Sequence, residues 1–368
     1  MAESPQYSES SFQPLLSKLV KRPEYFDPDD LKEALNHLFT PNVLQPTQIG
    51  AFLTALHIHR IERRPEFLAA AASVLRDRAL KANVLDAETD FVVDIVGTGG
   101  DGYNLFNVST TAGIVAAGAG ARVIKHGSRA STSSSGSADL LESLDCLFTA
   151  PTPGTSTAIA RIPFTFILAP HYHPALANLS PFRKALPFRT MFNVLGPLIN
   201  PARPKGMVLG VAEKELGATF AASIGEGGVE RALVVCGFEG LDEISCAGPT
   251  HVWELNNGKV KKTILNPTDF GLPKYPLSSV AGGGPGENAE TFKQLLRSGN
   301  NIPEKLLPVM DWVAMNASAL LVVAGIAKDY VEGAKLAKES IVSGKAWRAL
   351  EVFRVTGQEA ASALTQSP

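Results

Sequence analysis

The densest group of residues able to do chemistry is Val96-Gly97-Thr98-Gly99-Gly100-Asp101-Gly102, directly after the apolar run 91–96. A strand that ends in such a loop exposes backbone N–H groups free of side-chain obstruction, an arrangement that holds phosphate. A second loop, Lys125-His126-Gly127-Ser128-Arg129-Ala130-Ser131-Thr132-Ser133-Ser134-Ser135-Gly136-Ser137, adds two cations and a row of hydroxyls. Lys125 and Arg129 read either as surface charges or as a pyrophosphate clamp, and the surrounding hydroxyls favour the clamp. Between the loops, Asn107-Val108-Ser109-Thr110 sits where a helix should begin and offers orphan N–H groups to an anion, or simply caps that helix. The order fits neither a Walker loop nor a dinucleotide fingerprint.

Adjacent carboxylates at Asp242-Glu243 follow a predicted strand with no neighbouring cation in sequence. Mg²⁺ takes a few carboxylates plus substrate phosphate oxygens, so the pair suits a metal-dependent, multiply phosphorylated substrate; a solvated acidic turn is the plainer reading. Arg183 stands among aromatic and apolar residues, where its fork suits an aromatic carboxylate; spacing alone leaves a structural ion pair equally open. His126, His171 and His173 lack the spacing of a metal-binding helix and read as structural.

The elements that must position these groups follow from periodicity. Apolar positions 12, 15, 16 and 19 share one helical face, Asp27-Pro28 opens a second helix, and Thr47 and Pro65 open two more. Residues 1–11 are polar and read as a disordered tail. From residue 91 the pattern alternates: strands at 91–96, 122–124, 164–168, 207–211 and 232–236, with helices at 110–117, 138–144 and 213–223 between several of them. This predicts an α/β protein: a small all-helical N-terminal domain, and a larger domain with a mainly parallel sheet flanked by helices. Residues 261–285 read as loop, and 288–296, 309–327 and 331–343 as helices. Four polar motifs follow strands, at 97–102, 125–137, 170–173 and 239–243. Ligands bind at the carboxyl ends of such sheets, so these motifs should converge on one crevice.

Composition narrows the class. The 368 residues are 45% hydrophobic and 19% charged with net charge −2, which gives no reason to expect nucleic-acid or acidic-membrane binding. Cys146, Cys236 and Cys246 form no C-x-x-C pair and read as buried free thiols. The N-terminus has no secretory pattern, and the apolar stretch near 317–327 reads as a buried helix, so the expected location is cytoplasmic.

The motifs at 94–102, 106–110, 125–127, 136–142, 172–175 and 189–198, with Asp242-Glu243, resemble the anthranilate phosphoribosyltransferase family over about residues 12–355. The resemblance implies a homodimer in tryptophan biosynthesis, with a helical domain over 12–88 joined by an excursion near 172–198 and an α/β domain over 89–368. It implies phosphoribosyl pyrophosphate bound by Gly97, Gly100, Asp101, Asn107, Val108, Ser109, Thr110, the loop Lys125, His126, Gly127, Ser128, Arg129, Ala130, Ser131, Thr132 and Ser133, and Ser137. It further implies Mg²⁺ at Ser109, Asp242 and Glu243, and anthranilate at Arg183, Pro197, Gly97 and Ser128. Catalysis falls to Lys125, Asp101 and Arg183. Two positions depart from the family pattern. Leu105 stands where a threonine is usual, and Ser128 stands where an asparagine would help hold anthranilate. A pyrimidine nucleoside phosphorylase shares the architecture but would not need the Asp242-Glu243 pair. A nucleic-acid-binding relative would need a basic face, which the net charge opposes.

Overall fold

A computed structural model describes residues 7–130, 133–151 and 157–366. Helices Glu9–Lys21, Pro28–Leu38, Pro46–Ile58 and Pro65–Arg78 form the N-terminal bundle. The ordered chain starts earlier than its polar composition predicts: Ser8 accepts from the Ser11 N–H as N-cap, and the helix begins at Glu9, inside the expected 1–11 tail. Asp27 caps the second helix through the N–H groups of Asp29 and Asp30, with Pro28 in its first turn. Each of the other two also opens on a proline, which gives up an N–H that no helix partner would take.

The larger domain is built on one sheet. The strands are β1 (Ala82–Val84), β2 (Val92–Gly97), β3 (Arg122–Gly127), β4 (Thr157–Ile159), β5 (Phe164–Leu168), β6 (Gly206–Gly210), β7 (Arg231–Gly237), β8 (Thr250–Asn256) and β9 (Lys259–Leu265). Among the described residues seven of them pair in the order β5-β3-β2-β6-β7-β8-β9, while β1 and β4 form a separate parallel ribbon. The first five strands of that order are parallel, and β8 and β9 are antiparallel. The chain winds from β2 outward to β3 and β5, then returns to the other side of β2 for β6 and β7. Strand order therefore reverses between β2 and β6, the topological position where open sheets leave a crevice.

The central strands are buried on both faces, as parallel sheets require. Val208, Leu233 and Val235 face a core shared with the helices Val108–Gly118 and Leu307–Ala324, while Met207, Leu209, Ala232 and Val234 face the N-terminal bundle. Leu307–Ala324 is apolar because it is buried along most of its length, as its run of hydrophobic residues predicts. The three cysteines are free and buried. The expected loop at 261–285 is corrected at its start: β9 occupies Lys259–Leu265. It forms a hairpin with β8 across Asn257-Gly258, both at positive φ. An Asn-Gly pair favours that turn, and the alternating, lysine-rich exposed edge beyond it disguises the strand.

Candidate active site

Three of the four expected motifs meet at the carboxyl ends of β2, β3 and β7. A cavity of about 560 Å³ there is lined by Gly97, Gly100, Asp101, Asn107, Val108, Ser109, Lys125 to Ala130, Ser133, Ser137, Asp242 and Glu243, together with Arg189. Ser131 and Thr132 lie outside the described residues. The fourth predicted motif, 170–173, borders rather than lines this cavity: His173 is buried with its ring 5.2 Å from that of His126.

The floor follows from a close approach. Asp242 Oδ2 accepts the Gly99 N–H at 2.6 Å. Any Cβ on Gly97 would overlap the same carboxylate, so the loop after β7 can cross the end of β2 only over glycine. Asp101 faces Asp242, and Glu243 stands beside it within hydrogen-bonding reach of the Ser109 hydroxyl. Burial, then the neighbouring carboxylates, raise the pKa of both Asp242 and Glu243. The cation missing from the local sequence is Lys125, contributed by β3. Its side chain is 1% exposed, with Nζ donating to the Ile95 carbonyl and lying 3.5 Å from Ser109 Oγ. Burial lowers its pKa, while Asp94, Glu243 and Asp242 act in the opposite direction.

Ser109, Asp242 and Glu243 present hard oxygens side by side, a donor set that fits Mg²⁺. Among the described residues no three His, Cys, Asp or Glu side chains surround one cation position. Mg²⁺ takes substrate phosphate oxygens alongside a few carboxylates, so a diphosphate would complete such a shell. The Val108–Gly118 helix begins at the same space, with Val108 and Ser109 lining it, and a helix start favours an anion.

Other expected contacts need correction in detail. Asn107 makes no side-chain cap. Its amide is bound to Ser135 and Asn288. Thr110 is fully buried with its hydroxyl on Ser137 Oγ at 2.9 Å, so only its backbone can serve an anion. Arg129 is ion-paired to Glu142 rather than free as a clamp. The loop carrying it is folded onto the next helix by Asp139, which accepts the N–H groups of Ala130 and Gly136, both at 2.8 Å.

Arg183 and Pro197 do not line the cavity but flank it. Arg183 lies on the short helix Ser180–Ala185, its guanidinium 5.7 Å from the Phe192 ring centroid and its Nε buried without a partner. Burial lowers its pKa. Pro197 is brought alongside His126, whose Nδ1 lies 3.1 Å from the Gly196 carbonyl oxygen. The residue that sequence reading left unassigned is Arg189. It donates to the carbonyls of Gly99 at 2.7 Å and Thr98 at 2.8 Å, and a side chain on Gly100 would collide with its guanidinium. Its signal was the glycine at 100, whose φ of +82° also excludes most other residues.

With this geometry fixed, comparison with known proteins identifies the class. The description "Glycosyl transferase family, helical bundle domain" matches residues 13–79 and "Glycosyl transferase family, a/b domain" matches 89–347. The chain is 43% identical over 332 residues to a Schizosaccharomyces pombe anthranilate phosphoribosyltransferase, covering 90% of this chain and 93% of that one. It is 41% identical over 346 residues to one from Polynucleobacter necessarius, covering 94% and 98%. A Saccharomyces cerevisiae anthranilate phosphoribosyltransferase solved in complex with PRPP and Mg superposes with a TM-score of 0.85 at 34% identity, covering 96% of this chain and 99% of that one. The same yeast enzyme with 4-fluoroanthranilate gives 0.84 at 32%, with the same coverage. The chain belongs to the anthranilate phosphoribosyltransferases, the glycosyltransferases that join phosphoribosyl pyrophosphate to anthranilate in tryptophan biosynthesis.

Proposed function

We propose that the β2/β6 crevice holds phosphoribosyl pyrophosphate and Mg²⁺ while the segment around Arg183 presents anthranilate to it. The observation that carries this reading is the meeting of Ser109, Lys125, Asp242 and Glu243 with the start of the Val108–Gly118 helix in one cavity. The diphosphate would lie on the N–H groups of Ser109 and Thr110 and on the loop from Lys125 to Ser137, with Asp101 at its rim. Ser109, Asp242 and Glu243 would hold Mg²⁺, which would supply charge neutralisation to the phosphates.

In the reaction the anthranilate nitrogen forms a bond to ribosyl C1. The C1–O bond breaks, its electron pair leaves with pyrophosphate, and the nitrogen sheds one proton. An aromatic amine is a weak nucleophile, so stabilising the departing diphosphate outweighs proton abstraction, and no general base is assigned. Lys125 and the helix N–H groups are preorganised where that charge grows; one such contact is worth about 10²–10³ in rate. Arg183, half-buried with Nε unpaired, would pair with the benzoate carboxylate, and Pro197 would bound the ring.

Arg183→Ala is expected to raise KM for anthranilate at least tenfold more than KM for phosphoribosyl pyrophosphate in steady-state kinetics. Equal rises would remove this assignment. We also propose a homodimer, which would show a solution mass near twice the 39.0 kDa chain in light scattering; a monomer mass would refute it. The proposed compartment is the cytoplasm, which the three free thiols support.

A further inference from the structure

Gly282-Gly283-Gly284-Pro285-Gly286-Glu287-Asn288 is far in sequence from every phosphate motif, yet it packs against two of them. Asn288 lies in the first turn of the helix Pro285–Arg297 and is 2% exposed. A buried amide must have partners, since leaving one unmet is costly. Asn288 Oδ1 accepts the Gly283 N–H at 2.8 Å, and Nδ2 donates to Asn107 Oδ1 at 2.8 Å. The second lone pair of that Asn107 oxygen takes the Ser135 hydroxyl at 3.0 Å, and Asn107 Nδ2 donates to the Ser135 carbonyl at 2.9 Å.

The acceptor capacity of Asn107 is thus filled within the protein. A parallel set of bonds braces the same three segments. Asn104 Nδ2 donates to the Gly282 carbonyl at 3.0 Å, Asn104 Oδ1 accepts the Ser134 N–H at 3.3 Å, and Phe106 N–H donates to the Val280 carbonyl at 3.0 Å. Asn107 and Ser135 line the cavity and Asn288 does not. Asn288 therefore reaches the site only through Asn107.

We propose that Asn288 is a positioning residue for the diphosphate half of the site. Acting through Asn107, it fixes the spacing between the start of the Val108–Gly118 helix and the Ser133–Ser137 end of the cationic loop. The proposal rests on reading this cavity as the phosphoribosyl pyrophosphate site. It assigns Asn107 the role of linking the two anion-binding segments, in place of a direct side-chain contact. Asn288→Asp is the sharpest test, because it keeps size and the acceptor for Gly283 but sets an oxygen against Asn107 Oδ1.

Steady-state kinetics of N288D should show KM for phosphoribosyl pyrophosphate raised about tenfold, the scale for a lost buried hydrogen bond, with KM for anthranilate within twofold of the parent. A purely architectural role would reduce the folded fraction without separating the two KM values. Should N288D fail to fold, N288S, which removes the bond without adding charge, is held to the same split. In the N107A background, adding N288A should raise the donor KM no further. Two KM values that rise together, a donor KM unchanged in a folded variant, or additive N107A and N288A effects would each overturn the proposal. Asp101→Asn serves as the control on the underlying reading. If D101N raises the donor KM and N288D does not, the positioning role fails alone; if neither does, the cavity is not the donor site.

Discussion

His126 and His173 show how strongly position governs a side chain here. His126 lines the cavity and His173 stands edge-on to it, both almost wholly buried. Burial pushes His126 down to about 3 and His173 down to about 4. Both are neutral at physiological pH, so neither adds to the positive charge that Lys125, Arg129 and Arg189 bring to the cavity. The unfolded chain binds protons near pH 6.5 that the folded chain refuses, so this contribution to stability is complete above pH 6.5 and is lost as pH falls toward 4. Each such histidine steepens the loss by about 1.4 kcal/mol per pH unit. Buried Asp94, whose pKa burial raises, works in the opposite sense, so the histidine effect is read as a difference between variants. Urea unfolding of His173→Gln and of the parent between pH 7 and 4.5 should show the parent losing stability more steeply. Parallel curves would contradict a buried neutral His173.

At the scale of elements, Arg189 is the strap between the glycine loop after β2 and the excursion that carries Arg183. With two backbone carbonyls as its partners, it sets the loop's height over the segment beneath. Arg189→Ala is expected to lower kcat/KM for phosphoribosyl pyrophosphate tenfold or more, with Arg189→Lys intermediate because a lysine cannot span both carbonyls as a fork. Unchanged donor kinetics in R189A would dismiss the strap.

The same elements show what the sequence could tell. The strands and the glycine, cationic and acidic loops were legible because each joins an apolar run to turn residues and polar groups. Convergence of three of the four loops followed from the rule for parallel sheets; carboxylate chemistry singled out Asp242 and Glu243, whereas Ser109 came only from the family resemblance. Arg189 was hard to read because its partners are main-chain carbonyls, and the glycine at 100 that makes room for its guanidinium is its one trace in the sequence. Asn107 and Asn288 are 181 positions apart; no local spacing could join them. The β8–β9 hairpin was obscured by a lysine-rich edge that protects against strand addition. Lys125 was recognised as a cation, but its burial depends on the neighbouring strands rather than on its own loop.

On the proposed reading, the two substrates meet at the junction of the molecule's two parts. The N-terminal bundle and the sheet share one core, in which Phe52 and Leu56 belong to the bundle, Met191 and Phe192 to the excursion, and Val96 and Leu209 to the strands. Phe39 meets Phe192 edge-on at 5.9 Å, His57 stacks on Phe188 at 4.2 Å, and Arg63 pairs with Glu213 across the junction. Arg183 is thereby carried by the bundle side and the phosphate loops by the sheet side. A small rotation at this junction would bring acceptor and donor together and exclude the water that would otherwise hydrolyse the activated sugar.

The most direct measurement follows the fluorescence of anthranilate mixed with phosphoribosyl pyrophosphate and Mg²⁺, using the parent protein and the double variant Asp242→Asn/Glu243→Gln. The crevice account predicts Mg²⁺-dependent fluorescence loss matched by pyrophosphate release in the parent, and at least a 10²-fold slower loss in the folded variant. Near-parental turnover in the variant would contradict it, as would a parent that leaves anthranilate untouched.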